Sequence, residues 1–194
     1  FSRSNYVRSQ QIQTAYRTEI VNGLYGEMKI EYCLQTPIDN LDLESDIFNS
    51  TDSILELPPL SFKPYKKFES RIQLTWLPFQ KYYFKKNKKI VLGTKYPTFN
   101  FIYRKGIPGM LKSEVNFDYI ELGLSDEFTI PHLGKSKWNI QMGAFVNKKS
   151  LRVIEWKYFR GSDIGFFSNP LTSFQLLGNT LFTENSYLRG NYVH

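Results

Sequence analysis

The residues able to do chemistry are few and widely spaced. The chain of 194 residues has two histidines, His132 and His194, and one cysteine, Cys33. A protein zinc site draws on three or four such ligands at close spacing, and a disulfide needs a second cysteine. His132 lies in "IPHLG", which reads as a turn with a hydrogen-bonded imidazole. "LGTK" (92–95) lacks the rest of a phosphate-binding loop, and no G-x-S-x-G elbow occurs. "RGSD" (160–163) is an adhesion tripeptide broken by a serine. Asp118 and Glu121 would point to opposite sides of a regular strand, a poor placement for an acid pair. A hydrolase would need a serine paired with His132. The sequence therefore reads as non-enzymatic, with no catalytic residue, no metal site and no cofactor.

The remaining chemistry is charge. The net charge is +7, with lysine clusters in "KPYKK" (63–67) and "KKNKK" (85–89). No nucleic-acid motif accompanies them, so no nucleic-acid partner is expected. They read as solvated loops; contact with anionic lipid headgroups or sugar phosphates is the alternative. Other charges alternate within apolar runs, as in Glu27-Lys29-Glu31 and Glu69-Arg71.

The elements that must position these groups are strands. In "LYGEMKIEYCL" (24–34), Leu24, Met28, Ile30, Tyr32 and Leu34 share one face. Asn22-Gly23 before it is a hairpin signal, returning the chain from a strand around 12–21. "KFESRIQLTWL" (67–77) places Phe68, Ile72, Leu74 and Trp76 opposite Glu69, Arg71, Gln73 and Thr75. "KYPTFNFIYRKGIPG" (95–109) places Phe99, Phe101 and Tyr103 on one face. "SKWNIQMGAF" (136–145) does the same with Trp138, Ile140, Met142 and Ala144. "SFQLLGNTLFT" (173–183) reads as one continuous strand. "SEVNFDYIELGL" (113–124) changes phase, which predicts a bulge near Tyr119 or Ile120. Weaker strands are expected at 88–93, 151–158 and 186–194. Long loops are expected at about 35–65 and 147–171.

The fold class is thus all-β, with about eight to ten strands visible. Alternation alone does not say which face is wet. A soluble sandwich also alternates, with its apolar face inward. Three features favour a membrane barrel. The strands approach the roughly ten residues a tilted membrane strand needs. Aromatics, 16% of the chain, gather near the ends of the apolar faces, where an interfacial girdle lies. No amphipathic helix offers a second layer. The rival is a soluble or surface-exposed all-β module, such as a glycan binder. The first residues carry no initiator Met or signal pattern, and the last lie within an alternating run. Both features predict a domain incomplete at its ends.

Several stretches resemble one family. They are 58–83, "LGTKYPTFNFIYRKGIPGML" (92–111), 115–147 and "FFSNPLTSFQLLGNTLFTENSYLRGNYVH" (166–194). Together they look like the C-terminal barrel of an outer-membrane family of Bacteroidota, whose function is unknown. Its members usually carry an N-terminal carboxypeptidase-regulatory-like sandwich. That family is in turn similar to BamA/TamA-type outer-membrane assembly barrels. The resemblance implies one antiparallel transmembrane β-barrel domain over 1–194, located in the cell outer membrane. Its implied role is assembly, insertion or transport, within a multiprotein complex. Its implied partners are outer-membrane lipid, lipopolysaccharide and other outer-membrane proteins. It also implies that Phe68, Trp76, Phe99, Phe101, Tyr103 and Trp138 face lipid. "YFRGSDIGFF" (158–167) resembles the tip of the loop that folds into the lumen of assembly barrels. By that resemblance Phe159, Arg160 and Gly161 form the tip. Arg160 would pair with a wall carboxylate, and Gly161 would allow a tight reversal.

Overall fold

The alternating segments form long paired strands. The computed structural model describes residues 7–37, 62–132, 134–162, 171, 173–175 and 181–193. The first half contains β1 (Val7–Val21), β2 (Leu24–Pro37), β3 (Tyr65–Trp76), β4 (Lys81–Lys85), β5 (Lys88–Gly93) and β6 (Thr98–Gly106). The second contains β7 (Asn116–Ile130), β8 (Gly134–Ser150), β9 (Lys157–Ser162), β10 (Ser173–Gln175), β11 (Leu181–Thr183) and β12 (Tyr187–Val193). The described residues hold no α-helix, only short 3-10 turns at Met110–Lys112 and Val153–Glu155.

Seven strands make the main sheet, in the order β1-β2-β3-β6-β7-β8-β12, and every neighbouring pair is antiparallel. Strands β4 and β5 form a separate hairpin. At Asn22-Gly23 the chain turns with Gly23 at φ 84°, where a Cβ would collide with the Leu77 carbonyl oxygen. Strands β1, β2, β7 and β8 run 14 to 17 residues. Soluble strands average about five or six, so these are long enough to cross a bilayer obliquely.

The register fixes two faces. On one, Leu74, Phe101, Leu122, Met142 and Leu188 lie in a row across five strands. On the other, Lys29, Arg71, Arg104 and Tyr119 lie in a row across four. The row of apolar residues lies on the more open side: Leu122, Met142 and Leu188 are all exposed. The charged side is covered where the chain returns over it after β8. Its turn Val153–Glu155 and β9 cap a small core of Tyr65, Val115, Phe117, Tyr119 and Phe145, with Leu151 and Ile154 packed on it. Edge strand β1 is largely exposed on both sides.

The structure departs from the sequence expectations in three places. The main sheet is open among the described residues: β1 and β12 each pair along one edge, so no closed barrel is present. The expected strand 173–183 is two strands. Strand β10 runs parallel to β9 and β11 antiparallel to it, so the chain reverses between them. Residues 153–155 form a 3-10 turn where 151–158 read as a strand. The bulge expected near Tyr119 has a counterpart in the β7–β8 register shift at Asp118/Tyr119, with a second at Asn116/Asp118, the extra residues lying on β8. The sequence looks out of phase there because Phe117 and Tyr119 sit on the charged side, as its aromatic core. Most of the expected loop 35–65 lies outside the described residues.

Candidate functional site

The charged side of the sheet builds one continuous ionic site. Alternation aims Lys67, Glu69 and Arg71 of β3 the same way, and pairing brings β2 and β6 beside them. Lys67 is its centre. Its Nζ lies 3.0 Å from Glu31 Oε1, 3.2 Å from Glu69 Oε2 and 3.1 Å from Glu155 Oε2. Arg104 grips Glu69 with two bonds, Nε to Oε1 at 2.6 Å and Nη2 to Oε2 at 3.1 Å. The planar guanidinium matches a carboxylate in this fork geometry. The Tyr65 hydroxyl donates to Glu155 Oε1 at 3.1 Å. Glu155 is 3% exposed, so it depends on these donors.

A second cluster adjoins it. Glu121 Oε2 accepts from Lys157 Nζ at 2.6 Å, from the Tyr119 hydroxyl at 2.5 Å and from the Tyr187 hydroxyl at 2.8 Å. Gly143, opposite both Glu121 and Tyr187 in register, leaves room for the two tyrosines to converge. A Cβ there would come within 2.7 Å of the Tyr187 ring and 2.8 Å of the Tyr119 hydroxyl. Arg104 joins the clusters, its guanidinium 5.4 Å from the Phe117 ring centre and 5.6 Å from that of Tyr119. Between the clusters is a cavity of about 240 Å³, lined by Lys29, Arg71, Arg104, Glu121 and Lys157 among others.

The arrangement is a network of ion pairs that braces the sheet. Glu31, Glu69, Glu121 and Glu155 are each held by cations. His132 stands at the exposed β7–β8 turn with φ 67°, remote in the chain pairing from this site. Among the described residues no group of three or more His, Cys, Asp or Glu could hold a metal ion.

The apolar side receives the aromatics named from the sequence. Trp76 and Phe99 are opposite each other with ring centres 5.2 Å apart. Phe101 lies between Leu74 and Leu122, and Tyr103 between Ile72 and Ile120. The Tyr103 hydroxyl donates to Asp118 Oδ1 at 2.5 Å, and Lys105 Nζ donates to the same oxygen at 2.7 Å. Trp138 is half-buried opposite Asp126 and Tyr192. Phe68 shares the face but is buried at its edge, 8% exposed, where its N–H donates to Ser113 Oγ.

Phe159, Arg160 and Gly161 lie together in β9. Phe159 is buried, with its ring centre 4.8 Å from that of Tyr187. Arg160 is paired with Ser173 through the backbone; its side chain lies outside the described residues. Gly161 is in extended strand opposite Phe174 and makes no tight reversal. The residues of this excursion that reach the wall are Glu155 and Lys157, which sequence reasoning missed. The signal available was the polar parity of β3; nothing in "RVIEWKY" (152–158) marked its own two charges.

Comparison with curated proteins and with solved structures returns no match. A family model matches residues 1–194, the full length given. The chain belongs to the family of unknown function DUF5686, of which it is the C-terminal domain.

Proposed function

We propose that this domain forms part of the wall of an outer-membrane β-barrel, with its apolar side toward lipid and its charged side toward the lumen. One observation carries the reading: the sheet covers its charges and exposes its apolar residues. Leu122 is 48% exposed while Glu121, its neighbour on the same strand, is 6% exposed. A sheet in water has the opposite arrangement, because burial of unpaired charge is costly and burial of apolar surface is favourable. Exposed apolar patches of this extent mark membrane or partner contact.

The ends of the sheet support the same reading. The turn at 22–23 and the β7–β8 connection share one end with the β4–β5 hairpin. The end of β2, the start of β3, the end of β8 and the start of β12 lie at the other, which the usual barrel pattern places outside the cell. Trp76, Phe99 and Trp138 lie toward the first end, and Tyr103 with Asp118 and Lys105 toward the second, as interfacial girdles do. The excursion through Glu155 and Lys157 acts as a strut across the lumen side. The role is non-enzymatic, in assembly, insertion or transport at the outer membrane with other outer-membrane proteins. The likeness to BamA/TamA-type barrels, and an N-terminal sandwich domain as in related proteins, belong to this proposal.

A soluble glycan binder is disfavoured by the same face. The groove beside Trp76 and Phe99 is walled by Leu24, Leu74, Leu122, Ile140 and Met142, which offer a sugar no hydrogen bonds. Fractionation of cells expressing the full-length protein tests the reading. It is expected in the membrane pellet, resistant to alkaline carbonate and released by detergent. Recovery in the detergent-free supernatant would overturn it.

A further inference from the structure

Among the described residues, the charged side includes a cation, Arg71, that no carboxylate holds. Across β2, β3 and β6, Lys29, Arg71 and Arg104 stand directly opposite one another. Like charges placed so repel unless each is offset. Lys29 is offset by Glu31 at 2.9 Å and Arg104 by Glu69. Among the described residues, Arg71, between them, has no carboxylate within 4.0 Å. Its Nη2 donates to Gln73 Oε1 at 2.8 Å, and its buried Nε donates to nothing. Glu27, one register pair along, makes no ion pair with it. All three cations line the cavity of about 240 Å³.

We infer that this cavity is an oxyanion site, in which Arg71 supplies the principal contact and Lys29 and Arg104 flank it. The ligand class is a small phosphate or carboxylate group, free or carried on a larger molecule. Three observations converge. A guanidinium with an idle Nε is half of a fork that a carboxylate or phosphate completes. The flanking cations raise the local positive potential at that point. The cavity volume admits a group of a few heavy atoms beside Arg71. The neighbouring carboxylates do not close the site, since each is already held by Lys67, Arg104, Lys29 or Lys157. This inference needs only the charged face of the sheet, so it stands or falls separately from the membrane reading.

The test is calorimetric titration of the full-length protein, folded in uncharged detergent, with inorganic phosphate and separately with acetate. Saturable binding of at least one is expected. Arg71→Gln should weaken it ten-fold or more, Arg71→Lys should restore part of it, and Lys29→Gln should weaken it several-fold. Phosphate binding without acetate binding would assign the site to phosphate groups, and the converse to carboxylates. Heat-modifiable gel mobility reports folding of each variant; should Arg71→Gln not fold, Arg71→Lys and Lys29→Gln carry the test. Absence of saturable binding of both anions, or binding that these substitutions leave unchanged, would overturn the inference.

Discussion

Leu122 and Glu121 are neighbours on β7, yet the leucine is 48% exposed and the glutamate 6%. The same contrast holds on β3, where Ile72 is 39% exposed and Glu69 is 7%. Among the described residues, one side of the sheet is an apolar surface without a covering layer. The other is a charged surface with a cover that supplies Glu155 and Lys157. A strand cannot tell its two sides apart by backbone geometry, since successive residues simply alternate. The difference therefore lies in what each side is matched to. The charged side is matched largely to itself, ion by ion, with Arg71 the exception among the cations of its central row. The apolar side is matched by none of the described residues, and we propose that lipid covers it.

Substitutions on the two sides can break or sharpen that contrast. The largest effect is expected from Lys67→Met, which would leave Glu31, Glu69 and Glu155 around an absent cation. Breaking such a buried network costs about 3–5 kcal/mol, read as lost stability in denaturant unfolding of the folded protein. Next is Leu122→Lys, in the middle of the apolar row. In a bilayer it should cost about 2–4 kcal/mol. In water an exposed substitution costs about 0.5 kcal/mol or less. Comparing its unfolding in lipid with that of wild type therefore tests the facing itself. Tyr187→Phe removes one donor to Glu121 and should cost about 1.5–3 kcal/mol, the scale of a hydrogen bond to a charged group. The smallest effect belongs to Glu127→Gln. That carboxylate pairs with Lys137 and Lys135 near the β7–β8 turn, where solvent screens it, and the unfolding midpoint should not move measurably. A large effect there would mean that this turn is covered by a partner.

Much of the strand framework was legible in the sequence. Period-two alternation located β2, β3, β6 and β8, and Asn22-Gly23 located the first hairpin. The two sides of each strand followed directly, including the parity of Lys67, Glu69 and Arg71. Other features were not legible because they depend on contacts distant in sequence. Nothing local tells Glu155 that it will meet Lys67, 88 residues earlier. Gly161 looked like a reversal because glycine permits one, but pairing with Phe174 holds it extended. The run 173–183 alternates like one strand, yet its two ends pair with opposite edges of β9 in opposite directions. The phase change in 113–124 was a change of environment along one side, from the aromatic core at Phe117 and Tyr119 to the charge of Glu121. A strict apolar-or-polar reading cannot separate that from a change of side.

The most direct test of the central claim is spin-label accessibility on β8 of the full-length protein in lipid vesicles, in a Cys33→Ser background. Labels would be placed one at a time at Ile140, Gln141 and Met142. The account predicts that labels at 140 and 142 are relaxed by oxygen and shielded from a water-soluble nickel complex, as in lipid. The label at 141 should show the reverse or be shielded from both. Nickel accessibility at 140 and 142 equal to that of an aqueous surface site would contradict it.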